Sequence, residues 1–304
     1  MLKLLTSRFL QGLLTLFVLV TLTFFLVRMM PGSPYTDEKA VPEHILKQLE
    51  ASTGLDKPMP VQYGLYLRNL IFRQDMGPLI KKDGVSVYDV ISDSFPVSLV
   101  LGLASMGIAL MIGIPAGVIA AVKKNSPTDF ACLAFAMIGI CLPSFVIGPL
   151  LAVGAGLKLQ SLNVAGWSSP TDWILPAITL GLINAAYLAR LSRGGMLDVL
   201  SQDYIRTARA KGVPGRKIII RHALKGGLIP AVAFIGPAFA AMISGSFVIE
   251  TIFQIPGMGQ HFVNAATDRE FFLIQGLVLF YGFLIVAANL MADLALIALN
   301  PRLR

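Results

Sequence analysis

Six long apolar runs, separated by short polar stretches, dominate the pattern along this chain. They cover about 9–27, 97–122, 130–157, 173–191, 228–249 and 271–299. Each comes near or exceeds the roughly 20 apolar residues that carry a helix across a hydrocarbon layer about 30 Å thick. The pattern predicts an all-α integral membrane fold of six transmembrane helices. Proline recurs inside the runs at Pro115, Pro143, Pro149, Pro176 and Pro237. These can be ordinary kinks, since neighbouring helices satisfy the freed carbonyls, or bends that leave a cavity at mid-membrane. Gly102, Ala104, Gly107, Gly113 and Gly117, with Gly236, Ala240 and Gly245, suit close helix–helix approach. The second to fifth spans are therefore expected around a central pathway.

Between the first two runs, 32–95 is polar, with mixed charge and two amphipathic pieces. Pro42 opens a candidate helix over 41–51 with Ile45, Leu46 and Leu49 as its stripe. A second, over 61–72, places Tyr63, Leu67, Leu70 and Ile71 on one face. The segment reads as a small folded cap.

The polar stretch 203–230, DYIRTARAKGVPGRKIIIRHALKGGLIP, lies between the fourth and fifth runs. Arg206, Arg209, Lys211, Arg216, Lys217, Arg221 and Lys225 stand against one acid, Asp203. Tyr204 to Lys211 contains good helix formers, and Gly212 and Pro214 break it before a second helix. This build suits a helix–turn–helix elbow that inserts into another protein. The plain alternative is a cationic loop that only fixes topology.

Composition narrows the class. The 304 residues are 55% hydrophobic and 14% charged, with mean hydropathy +0.73. Soluble domains are about 45–50% apolar and 25% charged. A net charge of +8 in such a chain marks loops beside anionic lipid, and no nucleic-acid partner is expected. Lys3, Arg8, Lys123, Lys124, Arg190, Arg193, the elbow's basic residues, Arg302 and Arg304 fall on one side. Only Lys158 and Arg269 fall in the opposite short loops. Both termini and the elbow are thus expected in the cytoplasm. A basic start before an apolar run can also be a secretory signal, but this run is too long for one and lacks an Ala-x-Ala site.

Chemistry-bearing groups are sparse. Cys132 and Cys141 are nine residues apart, about 13 Å along a helix, too far for a disulfide. His44, His222 and His261 are scattered, and no metal spacing occurs. No GxxxxGK[ST] is present, so no ATPase motif, and no catalytic cluster emerges. Asp293 is an acid within the sixth run, costly at mid-membrane, with an ion pair to Arg302 or Arg190 as the expected compensation and a proton relay as the alternative. Asn184 and Asn289 read as interhelical hydrogen-bond donors.

The elbow resembles the coupling loop of ATP-binding-cassette importer permeases, whose pattern is Glu-Ala-Ala, three residues, Gly, then an apolar return. Gly212 and Ala208 match it, Arg206 and Thr207 depart from it, and Lys225 stands where a Pro is usual. The variant Thr-Ala-Arg-Ala-Lys-Gly with Arg-His-Ala-Leu-Lys is similar to the oligopeptide/dipeptide (Opp/Dpp) branch. FLVRMMPGSP over 25–34 and GPLIKKDGVSVYDVISDSFPVS over 77–98 resemble its oligopeptide B-subunit members in particular. The resemblance covers the whole chain. It implies a type I ABC importer transmembrane fold: a first helix in 1–30, an extracytoplasmic segment over 31–93, a permease core over 94–300 with the coupling loop at 203–230, and a tail at 301–304. It implies a permease subunit forming half of an oligopeptide pathway. A second homologous permease, two cytoplasmic ATPase subunits and an extracytoplasmic peptide-binding protein are the implied partners. ATP and Mg would be bound by the ATPases, with no cofactor in this chain. The ATPase-coupling residues would be Tyr204, Arg206, Thr207, Ala208, Arg209, Ala210, Lys211, Gly212, Val213 and Pro214. Glu250, Pro256 and Gly257, in the motif Glu-Thr-Ile-Phe…Pro-Gly-Met-Gly, would dip back into the membrane at an outer gate; a plain outer loop is the alternative. Related permeases carry dipeptides, glutathione or nickel. An ion-coupled secondary transporter is the alternative of a different class, and it would require paired charges at mid-membrane.

Overall fold

The structure, a computed structural model, describes residues 2–30, 47, 50–51, 53–82, 84–158, 162–244 and 247–299. The described residues form an all-helical bundle. Helix α1, Leu2–Arg28, is the first span. Helix α2, Met59–Arg68, continues through a π-turn at Asn69–Arg73. Of the expected helix over 41–51, most lies outside the described residues, as do Arg302, Arg304 and Gly245.

Helix α3, Val87–Val122, begins ten residues before its apolar run. The signal is a capping box: Ser86 caps the Asp89 N–H, and the Asp89 side chain accepts from the Ser86 N–H. Pro96 and Pro115 sit inside the helix without ending it. The third run is two helices, α4, Pro127–Cys141, and α5, Ser144–Lys158, bent by 107°. Leu142 is extended because it precedes Pro143. Pro149 breaks nothing; it lies within α5. Helix α6, Ile174–Leu200, outlasts its apolar run by nine residues. Helix α7 is Asp203–Ala210, and α8 is Ile229–Ser244. Next come α9, Phe247–Ile252, and α10, Met258–Asp268. Helix α11, Phe271–Leu299, matches its run. By length and composition, five helical stretches can cross a membrane among the described residues, counting α8 with α9 as one, or six if the bent pair is one span.

The centre of the bundle is the α3–α6 pair. Gly113 lies against the Ala185 carbonyl and Gly117 against the Ala189 carbonyl, so a Cβ at either position would collide with backbone. Helix α8 joins this pair through Ala231, Ala238 and Met242, and α11 packs on α8 where Gly236 meets Ala288 and Ala292. Helix α1 lies outside, touching α11 where Gly12 meets Val286.

Buried charges stitch the ends. Asp129, 1% exposed, takes a two-pronged ion pair from Arg193, with Nε–Oδ1 at 2.6 Å and Nη2–Oδ2 at 2.9 Å. It ties the start of α4 to α6 and explains why Arg193 does not end α6. Glu270, also buried, accepts the Ile80 and Lys81 N–H groups at 2.7 Å each. Asp293 pairs with Arg8 of α1 at 3.2 Å, and not with Arg190; Arg190 lies over the Tyr187 ring instead. Asn184 donates to the Leu180 carbonyl of its own helix, not across to another.

Candidate functional site

The elbow begins on the helix end that α6 extends beyond the bundle. Gln202 is extended and Asp203 occupies the first turn of α7, where its charge complements the helix dipole. Ile205 is fully buried and packs with Ala121, Met196, Val199, Ile218 and Ala223. Ala208 and Val213 are half-buried against the same cluster. The Tyr204 hydroxyl donates to the His222 carbonyl at 3.3 Å, joining the two arms. Thr207 bonds back to the Asp203 carbonyl.

Gly212 then takes φ +72°, a left-handed conformation that glycine adopts without cost. Its N–H donates to the Arg209 carbonyl and that of Val213 to the Ala208 carbonyl, closing the C-terminus of α7. Pro214 is the N-cap of the returning arm, Gly215–Lys217. A π-turn at Ile218–Ala223 and a short helix at Leu224–Gly227 lead back into the bundle. There Gly227 rests on Met196, and its carbonyl faces Gly195 of α6.

The expected elbow residues thus lie on one compact unit. Tyr204, Arg206, Thr207, Arg209, Ala210, Lys211, Gly212 and Pro214 are exposed, while Ala208 and Val213 face inward. Arg206 reaches Asp203 only at 3.5 Å, with both side chains solvated. A shallow cavity of about 170 Å³ opens beside Arg209, Gly215, Ile218 and Ile219. Pattern reading of the exposed charges does not single out Ile205. The signal for Ile205 was there: a single large apolar residue in an otherwise polar arm.

At the other end of the bundle, Glu250 is fully buried. Its Oε1 accepts from the Ser98 hydroxyl at 2.9 Å, and its Oε2 from the Gly259 N–H at 2.8 Å and the Gln260 N–H at 3.4 Å. The Ser98 oxygen in turn accepts the Met258 N–H at 2.9 Å. The carboxylate therefore caps the N-terminus of α10 from a different helix, a role that the N-cap residue Gly257 cannot fill. A side chain at Gly257 or Gly259 would run into the Glu250 carboxylate. Pro256 is exposed on the turn. Ser98, on α3, was not foreseen; nothing in its apolar surroundings marks it. Among the described residues, no three His, Cys, Asp or Glu side chains converge to hold a metal.

A family model described as "Binding-protein-dependent transport system inner membrane component" matches residues 113–304. A companion model for the N-terminal part of such membrane components matches residues 1–102. The chain belongs to this family. The permease is 44% identical over 306 residues to the oligopeptide transport system permease protein OppB of Salmonella typhimurium, covering all of both chains. Identity to OppB of Escherichia coli K12 is 42%, again over both whole chains. The dipeptide transport system permease protein DppB of Bacillus subtilis is 41% identical over 290 residues, covering 95% of this permease and 94% of the relative. The fold is similar to that of an inward-facing MetNI methionine ABC transporter, with TM-score 0.56 and 16% identity, covering 69% of this permease and 96% of that chain. The permease is a multi-pass inner-membrane protein. It is a transport subunit of the ABC importer class, which works with ATPase and binding-protein partners.

Proposed function

We propose that this chain forms half of the translocation pathway of an ATP-driven oligopeptide importer. The full-length similarity to the oligopeptide permease OppB carries this reading. A second homologous permease completes the pathway, and a peptide-binding protein on the outer side delivers substrate. Both termini and the elbow lie in the cytoplasm. Two ATPase subunits hold ATP and Mg, and each permease elbow seats in a groove of one of them.

The exposed cations Arg206, Arg209 and Lys211 face the ATPase, while Ile205 fixes the elbow to α6. ATPase closure pulls the elbow, the pull passes through the Gly195–Gly227 contact into α6, and the Asp129–Arg193 pair passes it to α4. The inner side then shuts and the outer side, where Glu250, Pro256 and Gly257 lie, opens. Dipeptides are the second reading, favoured by the similarity to DppB.

Co-purification from native membranes tests the assembly. An ATPase pair and a second permease should come with the chain; recovery of neither overturns the reading. Uptake competition with peptides of two to eight residues then separates oligopeptide from dipeptide transport.

A further inference from the structure

The segment between α1 and α3 was expected to lie wholly outside the membrane. Its contacts can be followed as a depth gauge against two spans. Gln62 is at the rim: its side-chain oxygen accepts from Arg28 Nε at 2.7 Å, and its amide donates to the Leu55 and Lys57 carbonyls. The following residue, Tyr63, shares a hydrogen bond of 2.7 Å with Thr21 and sets its ring edge-on to Phe24. Thr21 is seven residues back from Arg28, about 10 Å along a helix axis. Tyr66 stacks on Phe24. Leu67 and Leu70 pack in the cluster of Val20, Phe24 and Tyr66, which Leu279 joins from α11. Leu279 is eight residues into α11, about 12 Å from its start. Both spans therefore give the same depth.

The chain then turns round. The π-turn at Asn69–Arg73 ends at Gln74, whose φ of 53° reverses direction, and the Asp75 N–H closes on the Asn69 carbonyl. Met76 lies beside Gly276, Gly77 against the Phe272 ring, and Ile80 and Lys81 on Glu270. The contacts thus climb back from Leu279 to the first residues of α11. At the bottom of this excursion, Ile71 and Phe72 are 64% and 80% exposed. Ile71 turns away from the face made by Tyr63, Leu67 and Leu70, contrary to the sequence expectation. At the level of Thr21 and Phe24, α1 also carries apolar, exposed residues: Leu22, Phe25 and Leu26.

We infer that α2 and its π-turn are a lipid-inserted hook, in which Ile71 and Phe72 enter the acyl layer beside α1 while Arg68 and Arg73 reach back to the headgroups. An apolar tip flanked by long cationic side chains is the pattern of a segment resting in one leaflet. The occupant is lipid because the tip lies at the level of an exposed apolar face of a spanning helix, at a depth fixed from two helices. A soluble cap would have no reason to bring two exposed apolar residues to this level. The inference does not depend on which solute the importer carries.

The test is a nitroxide attached at Phe72→Cys, in the assembled transporter with Cys132→Ala and Cys141→Ala, placed in vesicles of phosphatidylethanolamine and phosphatidylglycerol. The label should be accessible to oxygen and shielded from a water-soluble nickel chelate. Its depth should match a label at Leu22→Cys to within about one helix turn, 5 Å. Ile71→Cys gives a second reading where the Phe72 variant assembles poorly. Free access of the nickel chelate at both positions overturns the hook. So does an immobilised label shielded from both reagents, which would mean that protein covers the tip. A label that becomes immobilised only when binding protein is added also overturns it, because the tip would then be a docking surface.

Discussion

The elbow and the Glu250 turn are both short helix–break–helix pieces at opposite ends of the bundle, yet they are built in opposite ways. In the elbow, apolar residues face inward and charges face outward. Ile205 is the buried anchor, and the cations around it stay solvated. In the Glu250 turn the charge itself is the anchor. The carboxylate is fully buried and takes donors from Ser98, Gly259 and Gln260. The elbow is thus free to present charge to a partner without loss of its own fold. The Glu250 turn spends its polar groups internally, so it joins α3, α9 and α10 into one body.

The contrast makes an ordered set of expectations. The largest is at Glu250. Replacing it with alanine strands two buried donors, the Ser98 hydroxyl and the Gly259 N–H, each worth about 1–3 kcal/mol when left unsatisfied. Glu250→Ala should therefore destabilise the permease by about 2–6 kcal/mol, read as a loss of folded protein in thermal or denaturant unfolding in detergent. A variant with wild-type stability would show that water replaces the carboxylate, and the contrast between the ends would collapse. Next is Ile205→Ala. A buried Ile truncated to Ala costs about 2–4 kcal/mol. The loss should concentrate in the elbow, visible as faster amide exchange over 203–227 with the rest of the bundle protected.

How far were these features readable from the residues? The runs located the spans, and at α11 they located both ends. They missed the first ten residues of α3, because a capping box at Ser86 and Asp89 starts a helix whose apolar residues, Val87, Val90 and Ile91, alternate with polar ones and form no run. They also stopped α6 at Arg190 and Arg193, since a charge read singly looks like a helix end. Its partner Asp129 lies far away in sequence, at the opening of another span. The elbow's break was legible because Gly212 and Pro214 act locally. The Glu250 cap was only half legible: the acid and the glycines stand close in sequence, but Ser98 comes from a helix 152 residues away. Arg8 as the partner of Asp293 was hidden for the same reason. Local chemistry can be read from a sequence; pairings across the bundle need the fold.

The exposed side of the elbow gives a third expectation, smaller in stability and larger in function. Reversing Arg209 and Lys211 to Glu alters only solvated groups, so stability should change by less than about 0.5 kcal/mol. Coupling should suffer instead: uptake falls, ATPase turnover no longer responds to binding protein, and the assembled complex loosens more at high salt. Normal uptake in this double variant would remove the elbow's charges from the docking reading and leave its shape as the only candidate. Gly212→Pro separates shape from charge, since proline cannot adopt the positive φ found there.

The smallest effect is a pH response confined to the Glu250 end. His261 sits half-buried on α10, and burial, with the charge of Lys82 as the lesser cause, holds its imidazolium form below the usual histidine range. The folded state thus favours neutral His261 more than the unfolded chain does. The stability this provides is complete above the unfolded value, about 6.5. It is lost as the pH falls from there through the lowered folded value, because the unfolded chain takes up the proton first. Thermal unfolding at pH 7.5 and 5.5 should show a loss that His261→Gln removes and Lys82→Gln reduces. The order matters: burial is the larger cause, so the Lys82 variant should retain most of the slope. If both variants flatten it equally, the charge of Lys82 rather than desolvation governs this helix. If neither does, α10 is held by its Glu250 cap alone and its solvent-facing side adds nothing.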